Sequence, residues 1–319
     1  MKVFLAVPVL LAGICAHAQT AGYEFKRVRV ETLQESGPAR DCVDVVFIGD
    51  GYVADDLVAD GAYEKDVRRV TEELFATEPF RSLQSVFNVR AVYACSFARG
   101  ADDRPVEDSR ATILDCAFDA PDGRNVTYRR DENVMRLARL APAADIVLVM
   151  INDPRYGGSG GVIWEKTPAP CFTNAQRSLQ IAVHELGHSL ANLGDEYTDP
   201  KEAERRPLPD GTQDLPYPNL TRAKHVDLSS KRTLEATVKW KHLLDLPGAE
   251  GRIGAFEGGY YRDSGVFRPE EKCKMRASGD PFCAVCREEI TRSIYALIGR
   301  KFDHAAYHAA NPLTPEARR

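Results

Sequence analysis

Two histidines and a glutamate within residues 184–188 have the spacing of a metal-dependent hydrolase. The run reads His184-Glu185-Leu186-Gly187-His188. Positions i and i+4 of an α-helix lie on one face, so both imidazoles can bind a single Zn²⁺. Zinc lowers the pKa of a bound water to about 7, and the intervening carboxylate can accept the proton of that water. The pattern predicts hydrolysis of a polarised carbonyl, with Glu185 as the general base.

The flanking residues predict that this run lies on a half-buried amphipathic helix. Apolar side chains recur at helical spacing from Leu179 to Leu193. Gly194 follows at a position where helices commonly end in a left-handed residue. Gly187 would leave the helix surface beneath the metal bare, so that a second element can approach it closely.

A catalytic zinc usually has three protein ligands, so the two histidines leave one ligand to be found. Asp195 is the preferred candidate and Glu196 the nearest alternative. Glu202 and Glu204 are further alternatives, but they lie in a charged, proline-rich stretch that is typical of a solvated loop. The histidines outside 184–188 lack metal-ligand spacing to this run and are predicted to lie on the surface.

Four other residues are candidates for supporting roles around the metal. Tyr260 and Tyr261 carry phenols that could donate to a developing oxyanion. Tyr197 is close in sequence to the proposed ligand and could orient it. Met275 could form an apolar floor beneath the ligands. Ordinary packing is the alternative role for each of them.

A glycine-rich run precedes the metal-binding motif. It lacks the Gly-Lys-Ser/Thr ending of a phosphate-binding loop. Gly158, Gly160 and Gly161 would instead let a peptide substrate approach the backbone as an added strand. A flexible loop between strands is the alternative interpretation.

The N-terminal residues predict export from the cytoplasm. Lys2 precedes an apolar run over 3–16, and Ala16-His17-Ala18 has the small-x-small pattern of a cleavage site. The run is too short to span a bilayer, and no later segment is long and apolar enough to do so. We therefore expect residues 1–18 to be a cleaved signal peptide and the protein to be secreted or periplasmic, with a lipid anchor disfavoured.

Removal of residues 1–18 would leave 41 basic and 47 acidic residues, a net charge of −6. This mild acidity argues against nucleic acid and anionic membranes as partners.

The same cleavage would leave seven cysteines, an odd number, so at least one thiol is expected to be unpaired. Disulfides are expected in an oxidising compartment. A bridge from Cys95 to Cys116 would staple a charged loop. Cys273, Cys283 and Cys286 could form one bridge or supply three ligands to a structural zinc. The bridge is preferred because no fourth ligand is close in sequence.

The order of apolar runs and helical patterns predicts an α/β fold. Strands are expected at 43–48, 87–93, 145–151 and 162–164, and helices at 54–76, 133–140, around the metal-binding motif and at 286–299. The stretch 198–232 is expected to be a long exposed excursion. The predicted organisation is a signal peptide (1–18), a short N-terminal extension (19–41), a catalytic domain (42–300) and a C-terminal tail (301–319).

Several short motifs, taken in order, resemble the IgA-peptidase-like zinc metallopeptidases of bacteria over residues 43–298. The motifs are Gly49-Asp50-Gly51-Tyr52, the run 156–161, the run 184–188 with Gly194-Asp195-Glu196-Tyr197, Tyr260-Tyr261 with Arg268-Pro269, and Cys273-Lys274-Met275-Arg276 followed by Phe282-Cys283-Ala284-Val285-Cys286. The resemblance implies a zincin-like fold in which a mixed β-sheet backs the motif helix.

The resemblance also implies a function and a set of site residues. It implies a zinc endopeptidase that acts on a polypeptide or glycoprotein, with one Zn²⁺ per chain. His184, His188 and Asp195 would be the ligands and Glu185 the base. The family name does not imply immunoglobulin A as the substrate.

Two other functions are compatible with the sequence. One is an inactive zinc-binding module with an adhesive or carbohydrate-associated role. The presence of Glu185 argues against it, because a scaffold needs no general base. The other is a zinc amidase or exopeptidase, in which Arg262, Arg268 or Arg276 would hold a substrate terminus.

Overall fold

The structure is a computed structural model that describes residues 28–103, 109–118, 123–164, 167–208 and 213–313. The predicted signal peptide lies outside the described residues.

The described chain alternates strands and helices. We label the strands β1 (Arg29–Gln34), β2 (Val43–Asp50), β3 (Phe87–Tyr93), β4 (Asp102–Asp103), β5 (Ala117–Phe118), β6 (Val126–Thr127), β7 (Ile146–Ile151), β8 (Gly158–Trp164), β9 (Thr167–Thr173), β10 (Thr221–Arg222), β11 (Phe256–Gly259) and β12 (Arg262–Arg268). The α-helices are α1 (Ala62–Ala76), α2 (Asp131–Ala138), α3 (Ser178–Ala191), α4 (Pro200–Arg205), α5 (Lys231–Thr237), α6 (Ala284–Leu297) and α7 (His304–Ala310).

A six-stranded mixed sheet in the order β1-β3-β2-β7-β9-β8 organises the fold. Its four inner strands are parallel, and the two outer strands, β1 and β8, run antiparallel to their neighbours. Every residue of β2 and β7 is buried, as their near-continuous apolar runs predict for strands covered on both faces. The mixed α/β fold is confirmed.

The two faces of the sheet support separate hydrophobic cores. Along β2, Val45 and Phe47 face the core that holds α1, α3 and α6. Val46 and Ile48 face the opposite core, which α2 covers. This alternation follows from the two-residue period of a strand. Helix α3 packs against β8, β9, α1 and α6, so the metal-binding motif lies on the first of these faces.

Three of the differences between the observed and predicted elements concern the main sheet and the helix before β3. The expected helix over 54–76 is a short 3-10 turn followed by α1, with left-handed Asp60 at the break. Strand β9 was not predicted, because its Thr-Pro-Ala-Pro start resembles a loop. The expected N-terminal extension contributes β1, an edge strand of the main sheet.

The expectation of disulfides is wrong for the described residues, in which all seven cysteines are free thiols. Cys116 belongs to the core on the α2 face of the sheet, whereas Cys95 packs against the core on the other face. The sheet therefore separates the two residues that a bridge was expected to join.

None of the helices in the described ranges is long and apolar enough to cross a membrane.

Candidate metal centre

Helix α3 carries the whole metal-binding motif and ends just beyond it. Its C-terminal residue in left-handed conformation is Asn192, with φ of 49°, and not the expected Gly194. Gly194 is needed for space, because a Cβ there would lie 2.5 Å from Leu220 Cδ1 and 2.8 Å from the Tyr217 ring. The side chain of Asn219 accepts from the N–H of Gly194 and donates to the carbonyl of Gly194, both at 2.8 Å. The chain is thereby held as it turns back toward the helix.

The turn brings Asp195 to both histidines. Asp195 Oδ1 lies 3.1 Å from His184 Nε2 and 3.1 Å from His188 Nε2, and the two Nε2 atoms are 3.1 Å apart. A tetrahedral zinc with bonds of about 2.0–2.1 Å would hold its ligand atoms about 3.3 Å apart. The three donor atoms therefore fit a single metal ion.

The backbone fixes which nitrogen of each imidazole faces the centre. His184 Nδ1 donates to the carbonyl of Lys274 at 2.8 Å, and His188 Nδ1 donates to the carbonyl of Leu193 at 2.6 Å. A carbonyl only accepts, so the neutral rings carry their proton on Nδ1 and a lone pair on Nε2. This is the tautomer that a metal ligand needs, held by the outer hydrogen bonds typical of metal sites.

The charges of the centre favour a cation. Burial alone would raise the pKa of Asp195, but the neighbouring imidazoles outweigh it and hold this pKa far below its usual range. Burial would lower the pKa of His188, but the attraction of Asp195 outweighs it and raises this pKa to about 9. Two lone pairs and a carboxylate that converge in a largely buried recess need positive charge among them.

Tyr261 supports Asp195 and is not free to act on a substrate. Its hydroxyl donates to Asp195 Oδ2 at 2.5 Å, and the residue is only 5% exposed. The N–H of Tyr260 donates to the carbonyl of Asp195 at 2.8 Å, and the N–H of Tyr261 donates to the carbonyl of Tyr197 at 3.0 Å. The tyrosine pair clamps the ligand segment through both backbone and side chain.

Tyr197 and Tyr260 are the other two phenols near the centre. The ring of Tyr197 packs edge-on against Tyr261 at 5.3 Å, and that of Tyr260 lies 5.8 Å from Tyr217. Both residues are partly exposed. They remain the candidates for an oxyanion donor.

Met275 lies beneath α3 at the one helix position that lacks a side chain. A Cβ on Gly187 would be 3.0 Å from Met275 Sδ, 3.2 Å from Phe282 Cε1 and 3.3 Å from Leu193 Cδ1. Met275 is fully buried, and its carbonyl accepts the N–H of Glu196 at 2.8 Å. The close approach that Gly187 permits therefore involves the predicted floor residue.

Edge strand β8 runs beside the candidate base. A Cβ on Gly160 would lie 3.5 Å from Glu185 Oε2, and one on Gly158 would lie 2.6 Å from Ile181 Cγ2. The register with β9 shifts between Ser159 and Val162, a stretch that contains Gly160 and Gly161. Burial raises the pKa of Glu185, although the two histidines oppose the effect.

The alternative third ligands lie elsewhere. Glu196 points away from the histidines into a group of cysteines, Cys273, Cys283 and Cys286. Glu202 lies on α4 and binds Arg205 at 2.8 Å and Arg206 at 3.3 Å. Only Asp195 joins the two histidines among the described residues.

The charged stretch after the motif contributes a residue that the sequence did not single out. The guanidinium of Arg206 lies 5.3 Å from the Tyr261 ring and acts electrostatically on Glu185 and Asp195. Arg262 fixes this segment, because it donates to the carbonyls of Ala203 at 2.9 Å and Arg206 at 2.6 Å. The charged, proline-rich composition around Arg206 is typical of a solvated loop, so the sequence does not indicate that Arg206 lies near the candidate site.

A second group of histidines was also missed. His242, His304 and His308 converge on the buried carboxylate of Glu288 at 2.9–3.2 Å, beside a cavity of about 780 Å³. The hydrogen bond that His242 donates to Glu288 raises the pKa of His242, although burial opposes the effect. Burial lowers the pKa of His308. Burial would raise the pKa of Glu288, but the three histidines outweigh it and lower it.

A mixed sheet that backs a helix with two converging imidazoles and a carboxylate defines a candidate metal-dependent hydrolase. The chain belongs to the family described as IgA Peptidase M64, which matches residues 31–247 and 228–294 in two overlapping segments. The resemblance inferred from the motifs is confirmed, and membership supports a metal-dependent peptidase. No curated protein matches the chain significantly.

Proposed function

We propose that the protein is a zinc endopeptidase in which His184, His188 and Asp195 hold the metal and Glu185 is the general base. The observation that carries the proposal is the convergence of three lone-pair donors at 3.1 Å with the tautomer of both rings fixed by backbone carbonyls. Family membership supports the peptidase class. The zincin-like fold that the family resemblance implies is part of this proposal.

A zinc ion held by these residues would supply Lewis acidity, which acidifies an attacking water and polarises the scissile carbonyl. Glu185 is one step round the helix from His184 and partly exposed, so its carboxylate can accept the proton of that water. The same carboxyl group then returns the proton to the leaving amine. Tyr261 orients Asp195 through the hydrogen bond that its hydroxyl donates.

Edge strand β8 supports a polypeptide substrate. Its outer side has no partner strand in the described sheet, and Gly160 lies next to Glu185. An extended peptide can add to such an edge through main-chain hydrogen bonds, with Gly160 and Gly161 admitting close approach. Gly158 cannot serve in this way, because its N–H donates to the carbonyl of Arg124 at 3.1 Å and Ile181 fills the space beside its Cα. A peptide bound this way would pass the base with chain on both sides, as internal cleavage requires.

The arginines that would hold a substrate terminus in an exopeptidase are already engaged. Arg262 donates to the carbonyls of Tyr260, Ala203 and Arg206. Arg268 Nη1 donates to the carbonyls of Glu257 and Gly258, and Arg276 Nη1 donates to that of Glu271. These contacts favour the endopeptidase. We also propose that its substrates lie outside the cytoplasm, because the sequence predicts a cleaved signal over 1–18.

Replacement of Glu185 by Gln tests the base without changing the shape of the site. We expect internal cleavage of a peptide library with blocked termini to fall by about 10²–10⁴-fold, because general-base catalysis contributes that much. The zinc content should stay as in the wild type, since Glu185 is not a ligand. Glu204→Gln is the matched control on the exposed surface of α4 and should cleave normally. Undiminished cleavage by Glu185→Gln would refute the proposed mechanism.

A further inference from the structure

Three cysteines and a glutamate form a second cluster of metal-ligating side chains, on the far side of the ligand segment. One atom from each of Glu196, Cys273, Cys283 and Cys286 lies within 4.8 Å of those of the other three. All four residues are at most 2% exposed. Glu196 follows the candidate ligand Asp195 directly, Cys273 precedes the Met275 turn, and Cys283 and Cys286 open α6. Segments far apart in sequence therefore meet at one point.

The sulfur geometry is that of ligands and not of a disulfide. The sulfurs of Cys273 and Cys286 are 3.6 Å apart, whereas a disulfide bond is about 2.05 Å long. Two sulfurs bound to one tetrahedral zinc at about 2.3 Å would be about 3.8 Å apart. Any single disulfide among three cysteines would also leave a buried thiol beside the glutamate.

Backbone N–H groups point at the sulfurs. Those of Met275 and Cys283 lie 3.4 Å from Cys273 Sγ, and that of Cys286 lies 3.4 Å from Cys283 Sγ. Hydrogen bonds of this kind stabilise a thiolate over a thiol. Thiolates are the form in which cysteine binds a metal.

The glutamate in the cluster lacks sufficient partners. Glu196 is fully buried, and its Oε1 accepts from Asn219 Nδ2 at 2.8 Å. Its Oε2 is buried with no hydrogen-bond partner among the described residues. Arg268 acts on this carboxylate electrostatically, but its Nη1 donates to the carbonyls of Glu257 and Gly258. A buried carboxylate beside three sulfurs is costly unless a cation binds there.

We propose that Glu196, Cys273, Cys283 and Cys286 bind a second, structural zinc ion. Three soft sulfur ligands and one carboxylate exclude Ca²⁺ and Mg²⁺, which take oxygen ligands. Four protein ligands leave no open position, as in structural zinc sites. This zinc is additional to the one per chain that the sequence predicts, and the fourth ligand was not foreseen because it lies 77 residues before Cys273 in the sequence.

The second zinc would fix the geometry of the candidate active site. The N–H of Glu196 donates to the carbonyl of Met275 at 2.8 Å, and the carbonyl of Lys274 accepts from His184 Nδ1 at 2.8 Å. The ligand segment and the Cys273–Met275 turn both carry cluster residues. Binding of zinc at Glu196 and Cys273 would therefore fix the position of Asp195 relative to the Lys274 carbonyl, which accepts the hydrogen bond of His184.

Metal analysis of the full chain can separate the two sites. We expect two zinc ions in the wild type. The double variant His184→Ala/His188→Ala should keep one, held by the cysteine cluster. Cys286→Ser should also keep only one, in the candidate active site. Cys95→Ser, a cysteine outside the cluster, should keep both.

Cobalt substitution supplies a readout that does not depend on whether Cys286→Ser folds. Co²⁺ bound by three thiolates gives intense sulfur-to-metal charge-transfer absorption, which a site of two histidines and an aspartate cannot give. We expect this absorption in the wild type and in the double histidine variant. The conservative variant Glu196→Gln should retain the charge transfer but lose its metal at lower chelator concentrations than the wild type.

Three results would overturn the second zinc. They are a histidine variant that retains no zinc, a disulfide among Cys273, Cys283 and Cys286 in the purified wild type, and iron at the cluster. Failure of the proposed peptidase would look different. In that case the cysteine cluster would keep its zinc, and Glu185→Gln would leave cleavage unchanged or the wild type would not cleave.

Discussion

The hydroxyl of Tyr261 should set how tightly the candidate active site holds its metal. It donates a buried hydrogen bond of 2.5 Å to Asp195 Oδ2, the oxygen that does not face the histidines. Tyr261→Phe removes this bond and keeps the ring that packs against Tyr197. The left-handed backbone at this position, with φ of 67°, is unchanged by the substitution. The variant therefore isolates the contribution of the hydroxyl.

The size of the effect follows from the charge and burial of the pair. A hydrogen bond to a charged group contributes about 1.5–3 kcal/mol, and only 5% of Tyr261 is exposed, so water cannot readily replace the hydroxyl. At about 1.4 kcal/mol for each factor of ten, this corresponds to zinc affinity lowered by about 10–150-fold. Loss of an outer partner of a metal ligand typically costs about 10–100-fold, which agrees.

The assay is the concentration of a chelator that abolishes half of the peptide cleavage, compared between variants that share the same cysteine cluster. Tyr261→Phe should need about 10–100-fold less chelator than the wild type. Tyr260→Phe is the matched control, since it is the adjacent residue and its hydroxyl does not contact Asp195. Tyr260→Phe should need the same chelator concentration as the wild type. This holds even if its kcat falls because the Tyr260 phenol donates to the oxyanion. Equal chelator sensitivity of Tyr261→Phe and wild type would refute this account of the ligand shell.

Two further predictions concern stability. Gly187→Ala should lower the free energy of unfolding by up to about 2 kcal/mol in thermal unfolding, because an overpacking cost of about 1–3 kcal/mol against Met275 Sδ at 3.0 Å outweighs the gain of about 1 kcal/mol in helix propensity; a more stable variant would show that the Met275 side chain can move aside. His242→Gln should destabilise most between about pH 4.5 and 6.5. Because the pKa of His242 is raised in the folded state, its stabilisation is complete below the unfolded pKa and is lost as the pH rises through the folded pKa. Because the pKa of Glu288 is lowered, its stabilisation is complete above the unfolded pKa and is lost as the pH falls through the folded pKa. Since 43% of the His242 side chain is exposed, we expect at most about 1 kcal/mol. Unfolding at pH 5.5 and pH 9 measures this, and an equal loss at both values would contradict it.

Elements with strong local patterns were predictable from the sequence. The buried runs of β2 and β7 and the alternation of β3 depend on neighbouring residues, and β3 has the predicted bounds. The helical spacing of 184–188 likewise brings two imidazoles together on α3. By contrast, β9 begins with two prolines in four residues and exists because β7 and β8 pair with it. Its partners are not visible in its own sequence.

What the sequence by itself determined is the helical placement of His184, Glu185 and His188, because the α-helix repeat fixes their relation over four residues. Only the tertiary structure shows that Asp195, and not Glu196, lies beside the two histidines. These neighbours extend to opposite sides of a segment held by Asn219 and the tyrosine pair, so one carboxylate meets the histidines and the other meets the cysteines.

The same holds for the two clusters that the sequence did not reveal. Cys273 lies 77 residues from Glu196, and His242 lies 46 residues from Glu288. Their convergence is set by how α6 packs on α3 and how the chain returns over α6, and both depend on burial of apolar surface across the whole domain. Local periodicity carries no record of such long-range contacts, so ligand sets built from distant segments become visible only in the folded chain.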